Sequence, residues 1–302
     1  MGLFGINMKE GPGVDKNAKR KRGFFLYIYI VFRKFVKLMQ ADFLYFLCSL
    51  PYLVFCFFVV SPTIMTCLGF NDMTFQAIGE YSVEQTKVLA QILYSIIITM
   101  FIFNFFGAGP VSASYAYVTR CFTRGEHAWI GSDGWDKFKE NFVQSILLLV
   151  CDIIVFILGF NALAFYRALS AQTSVFALAS GLTMSLMFIY MVMHYYAYQI
   201  MVTYKCTFIE LIKHSIITAL AKLPMTVLLT VITGGIFAIM VRYLSTGNPL
   251  MFALILGIVG LTFTRYPIEF YAARVIEKNI RAERKKEKKN RAKVTYLEDD
   301  KS

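Results

Sequence analysis

The chain has 302 residues, 57% of them hydrophobic and only 17% charged, with a mean hydropathy of +0.57. This composition excludes an ordinary soluble domain and points to an all-α polytopic membrane protein. The formal charge of +12 does not call for nucleic acid, because Lys and Arg gather in tails and loops between apolar runs, as a bilayer requires.

Residues 1–22 form a polar tail that ends in Lys19-Arg20-Lys21-Arg22. It is not read as a signal peptide: the apolar stretch behind it is too long and lacks a small-residue cleavage site. A flexible cytosolic tail is expected. Residues 23–40 begin apolar and aromatic, then bring Arg33, Lys34, Lys37 and Gln40 onto one arc. That pattern predicts an N-terminal interfacial amphipathic helix with its basic side chains toward lipid headgroups.

A membrane domain over 41–272 follows. Six transmembrane helices are predicted near 41–67, 88–118, 143–166, 174–200, 215–242 and 249–272, since about 20 residues of helix cross a bilayer core. Nine Lys and Arg residues fall in 1–40, four in 119–142, three in 201–224 and eleven in 273–302. Against these 27, Lys87, Arg167 and Arg242 stand on the opposite side, and Arg265 lies inside the sixth span. The asymmetry predicts that both termini are cytosolic and that the short acidic loop from Gly69 to Thr86 is external. The basic stretch 273–302 is expected as a cytosolic tail.

The stretch from Phe106 to Ser145 interrupts this regularity. Gly109-Pro110 should bend the second helix, because proline lacks a backbone donor and its ring clashes with the preceding turn. The small residues Ser112, Ala113, Ser114 and Ala116 then suit close helix contact. Further on, Trp135, Phe138 and Phe142 share one face of a short amphipathic helix. That face is either a docking surface or the underside of a plain cytosolic loop. A second amphipathic stretch, Thr207 to Leu223, places Phe208 and Leu211 on one face, and Pro224 after it should kink the start of the fifth span.

The sequence shows no Walker A loop, no G-x-G-x-x-G, no H-E-x-x-H and no G-x-S-x-G. His127, His194 and His214 are isolated, and the six cysteines are scattered without a Cys-x-x-Cys pair. No catalytic residue, cofactor or metal is therefore expected. Ionisable residues within spans remain: Asp152 in the third, Arg265 in the sixth, and Glu269 four residues beyond it. They form either a polar path for a solute or a structural ion pair. Arg before Glu at i, i+4 is the weaker order, and Pro267 disturbs the turn between them. An Asp152–Arg265 contact is expected, with Glu269 nearer the headgroups.

Residues Gly109 to Ser145 (GPVSASYAYVTRCFTRGEHAWIGSDGWDKFKENFVQS) resemble the signature of the YesL-like family of bacterial membrane proteins. The start MGLFGINMKEGPGVDKN, Phe32-Arg33-Lys34-Phe35 and Phe208 to Ser215 with Leu223-Pro224 are similar to one subgroup of it. Val111 stands where the family often has Ala, and the last two spans match less clearly. The family has no defined activity or site residue. Its genes often neighbour those of carbohydrate ABC importers. The resemblance implies a non-enzymatic accessory protein of a bacterial plasma membrane, with the bilayer and importer permease or ATPase subunits as partners. A self-contained transporter is the first alternative. An ABC-type permease subunit is the second, because Glu210 and Leu223-Pro224 echo the loop with which permeases seat their ATPase, although its glycine is missing.

Overall fold

The structure, a computed structural model, describes residues 23–170, 173–244 and 254–280, and these form a bundle of α-helices. Helix α1 (Phe24–Cys48) starts at Gly23, whose φ of 60° suits a residue without a Cβ, and is kinked at Lys34 (φ −112°, ψ 19°). It takes in residues 41–48, which the sequence reading gave to the first span. The reason is Pro51, which lacks the N–H that would bond back to Leu47 and so places the break at Ser49. Helix α2 (Leu50–Cys67) then runs through a widened turn at Cys56–Val60, directly before Ser61-Pro62. Such a turn accommodates a proline ring within a continuing helix.

Helix α3 (Val83–Phe105) starts five residues earlier than expected, at a capping box in which Ser82 and Gln85 satisfy each other's backbone N–H. It ends at Phe106. The expected bend at Gly109-Pro110 is a full break, because Gly107 (φ 96°) and Gly109 (φ 57°) both leave the helical region. Helix α4 (Pro110–Arg124) restarts with proline in its first turn, where the missing N–H costs nothing. The short α5 (Ser132–Glu140) leads into the long hairpin of α6 (Phe142–Leu169) and α7 (Ser174–Met201).

Helix α8 (Phe208–Ala221) has its own capping box, with Thr207 N–H donating to Glu210 at 2.9 Å. Those bonds hold the exposed Glu210 carboxyl below its ordinary pKa. The chain breaks again at Lys222, so α9 (Leu223–Leu244) is separate, and Pro224 opens it instead of kinking a longer helix. The fifth span thus begins at 223, not 215. After residue 253 come α10 (254–264, with a widened turn at Leu256–Gly260) and, past a turn at Arg265, α11 (266–280). The expected sixth span, 249–272, begins outside the described residues and is divided at Arg265.

Among the described residues, five helices are long and apolar enough to cross a membrane: α2, α3, α6, α7 and α9 over Leu223–Arg242. The protein is accordingly a helical, membrane-embedded one. Packing is uneven along it. In α7 every residue from Met191 to Met201 is buried, whereas Leu178, Leu182 and Leu186 nearer its start are exposed. The helices converge at the end that holds the α3–α4 break. There Ser112, Ala113 and Ala116 of α4 are fully buried, small enough to let neighbouring helices approach closely.

A buried ionic core at the helix break

A helix that stops inside a protein leaves its last carbonyls without partners. Helix α3 does so at Phe105, and Arg265 answers it. The Arg265 Nη1 donates to Phe103 O at 2.9 Å and approaches Asn104 O at 3.4 Å, bringing a cation to the negative end of the α3 dipole. The turn between α10 and α11 aims the side chain there. Glu269, one turn on, forms an ion pair with Arg265 at 3.4 Å (Nε to Oε1), and both are buried. The guanidinium also lies 5.0 Å from the centroid of the Tyr45 ring and 5.6 Å from that of Tyr115.

Around this pair several polar groups are tied by hydrogen bonds, while Asn104 Nδ2, Gln199 Oε1 and the Tyr198 hydroxyl have no hydrogen-bond partner among the described residues. Gln199 donates to Glu269 at 2.6 Å and to Ala116 O at 3.0 Å. Thr264 donates to Asn104 at 2.7 Å. Ser112 accepts from the Ala108 N–H at 2.6 Å and pairs with the Tyr45 hydroxyl at 2.9 Å. Asp42, which is fully buried, accepts from Tyr115 at 2.8 Å and from Thr262. Gly107 belongs to this core, since a Cβ there would sit 2.4 Å from Ser112 Oγ and 3.0 Å from Arg265 Nη2. Gly109 is fixed by α6: its Cβ would fall 2.9 Å from Leu149.

The expected Asp152–Arg265 contact does not form, and Glu269 is not the outlying residue. Asp152 instead lies against α7, where Tyr190 donates to it at 2.6 Å and His194 Nε2 stands 2.8 Å away. The His194 Nδ1 faces the Tyr190 carbonyl at 3.0 Å. The core therefore contains two separate polar centres: Arg265–Glu269 with α3 and α4, and Asp152–His194–Tyr190 between α6 and α7. Sequence reasoning missed Asp42, Gln199 and the role of His194. The available signal for His194 was a lone imidazole within a long apolar run. Among the described residues no group of His, Cys, Asp and Glu has the arrangement of a metal site.

The surface residues sort differently. Trp135 stacks on Phe138 (5.0 Å, 11° between planes), which meets Phe142 at 5.5 Å, and Trp135 and Phe142 are exposed. Phe208 and Leu211 are not part of any open surface. Leu211 is fully buried and Phe208 packs on the core, because α8 lies along α7 with that face inward. Its outward apolar residues are Ile209, Ile217 and Leu220. Three bonds tie the short elements to their neighbours: Ser114 Oγ of α4 to Gly134 O of α5 (2.6 Å), Arg120 of α4 to Val202 O at the end of α7 (3.1 Å), and Gln144 of α6 to Cys206 O in the loop before α8 (2.6 Å). Between α1, α4 and α5 a groove of about 530 Å³ remains, walled by Leu44, Cys48, Val111, Val118, Trp135 and Phe138.

No family model, curated protein or solved structure matches the chain.

Proposed function

We propose that the protein is a non-enzymatic, six-span plasma-membrane component, both termini cytosolic, that serves a carbohydrate ABC uptake system as an accessory subunit. The observation that carries this reading is the set of short helices α4, α5 and α8. They lie outside the five long apolar helices, are each held to a neighbour (α4 to α5 through Ser114, α4 to the end of α7 through Arg120, α8 by packing along α7), and with the loop before α5 expose Trp129, Trp135 and Ile209. Large apolar side chains held on a rigid surface are what a protein partner reads. The sugar importer as partner rests on the resemblance to the YesL-like family alone.

A self-contained transporter is the second reading. Discontinuous helices that meet buried charge are a recurrent transporter device, and the α3–α4 break with Arg265, Glu269 and Asp152 has those parts. Against it, each of these charged groups is engaged by neighbouring side chains or backbone.

Affinity purification from native membranes in mild detergent separates the two. Co-elution with permease and ATPase subunits, reduced by Trp135→Asp, is the expected result. A protein recovered alone that moves labelled sugar into liposomes would overturn the accessory role. Cysteine labelling from the cytosolic side at positions 129 and 213, and from the outside at 173, tests the orientation.

A further inference from the structure

We propose that the groove between α1, α4 and α5 holds one acyl chain of an anionic phospholipid from the surrounding bilayer, with the phosphate at Lys34 and Lys37. The walls select the class of ligand. They are apolar, and the two tyrosines that border the groove, Tyr45 and Tyr115, commit their hydroxyls to Ser112 and Asp42. Ser114, which also lines the groove, donates its hydroxyl proton to Gly134 O. Its volume of about 530 Å³ lies within the range of roughly 300–1,000 Å³ usual for small-molecule sites.

One end of the groove supplies the charge. Ala41 and Leu44 line it, and Lys37 and Lys34 stand one and two turns before Ala41 on the same side of α1. Arg33 adjoins them, and no acidic residue occurs from Phe24 to Ala41. The Lys34 Nζ reaches Glu126 O at 3.1 Å and lies 4.6 Å from the Phe122 ring centroid. Burial lowers its pKa, and the neighbouring Lys37 and Arg33 charges lower it further. Lys37 is exposed and makes no hydrogen bond or ion pair among the described residues. An arriving phosphate would relieve this crowding of like charge.

The groove also has the polarity of a lipid. Helices α1 and α4 run antiparallel, with Lys34 beside Phe122 and Tyr45 beside Ser112. From the basic corner the groove leads to Cys48 and Val111, next to Leu50, where the apolar α2 begins. Headgroup and tail thus meet matching surfaces in order.

The test uses the full chain with Trp129→Phe, which leaves Trp135 as its sole tryptophan. The protein in neutral detergent is titrated with phosphatidylglycerol brominated on its acyl chains, and Trp135 quenching is read. Saturable quenching near one lipid per protein is expected, with brominated phosphatidylcholine needing a much higher concentration. Lys34→Gln with Lys37→Gln should raise the phosphatidylglycerol midpoint about thirtyfold, at roughly fivefold per lysine, and leave phosphatidylcholine unchanged. If that double variant does not fold, Lys37→Gln alone should show the fivefold shift. Cys48→Phe, which fills the groove, should weaken quenching by both lipids. Equal, non-saturating quenching by the two lipids would reduce the groove to ordinary bilayer contact and overturn the proposal. So would an absence of quenching in folded protein, which would mean that a protein segment occupies the groove.

Discussion

Arg265 joins three things at once: the open end of α3, the carboxylate of Glu269, and the faces of Tyr45 and Tyr115. Its replacement by Gln removes the cation and leaves Glu269 as a buried unpaired charge. Breaking a buried pair from one side costs about 3–5 kcal/mol. The carbonyls of Phe103 and Asn104 lose their donor as well, which adds roughly 1–3 kcal/mol where they stay unpaired. Glu269→Gln is milder, because Arg265 keeps both carbonyls and both rings; a cost near the lower end, about 3 kcal/mol, is expected. With both changes made, the unpaired charge is gone, so the double variant should fall short of the summed single costs by about 1–3 kcal/mol. Unfolding by SDS in mixed micelles, followed by far-UV circular dichroism, measures all three differences. If Glu269→Gln proves as costly as Arg265→Gln, capping of α3 contributes nothing. If the two costs simply add, the ion pair does not hold the core.

Three further outcomes are expected. Gly107→Ala should destabilise by more than the roughly 1–3 kcal/mol of backbone strain alone, since its Cβ would strike Ser112 Oγ at 2.4 Å; adding Ser112→Ala should recover part of the loss in the same SDS titration. Asp152→Asn and Arg265→Gln share no hydrogen-bond or ion-pair partner, so their costs should add within about 0.5 kcal/mol; rescue of one by the other would restore the direct pairing that the structure lacks. On α8, Leu211→Ala should cost about 2–5 kcal/mol, and Ile209→Ala no more than about 0.5 kcal/mol, read as shifts in thermal unfolding in micelles, because the first side chain is fully buried and the second exposed.

The helical class and the middle spans were legible because long apolar runs dominate them. The expected 143–166 and 174–200 differ from α6 and α7 by only a few residues at either end. Boundaries failed where local chemistry outranked hydropathy. A hydropathy window cannot see that Pro51 ends α1 at Cys48, that Ser82 and Gln85 start α3 early, or that Thr207 and Glu210 make α8 an independent helix. Each of these signals is present in the sequence as a proline or a capping pair, and each overrides a continuous apolar run. The same capping box fixes the register of α8 and turns Leu211 inward, which removes the docking role that amphipathic spacing alone suggested.

The choice of partners within the core was less legible, for a different reason. Depth in the bilayer placed Asp152 and Arg265 at similar levels, and helix rules ranked Arg-before-Glu at i, i+4 as the poorer pair. Those rules describe exposed helices in water, where the backbone is already satisfied. Here the two glycines at 107 and 109 stop α3 in the interior and leave carbonyls that water does not reach. The strongest demand on a nearby cation is then backbone, not carboxylate, and Arg265 is placed by Phe103 and Asn104 first. Once its guanidinium is held there, Glu269 is the acid within reach, and Pro267 stands in the first turn of α11, where its missing N–H leaves the Glu269 N–H to Arg265 O bond intact. Asp152, out of reach of Arg265, is held by its own hairpin partner α7, where Tyr190 donates to it and His194 stands against it. The helix break and the ion pair are thus one feature: the glycines create the unpaired carbonyls, and the carbonyls decide which acid the arginine can meet.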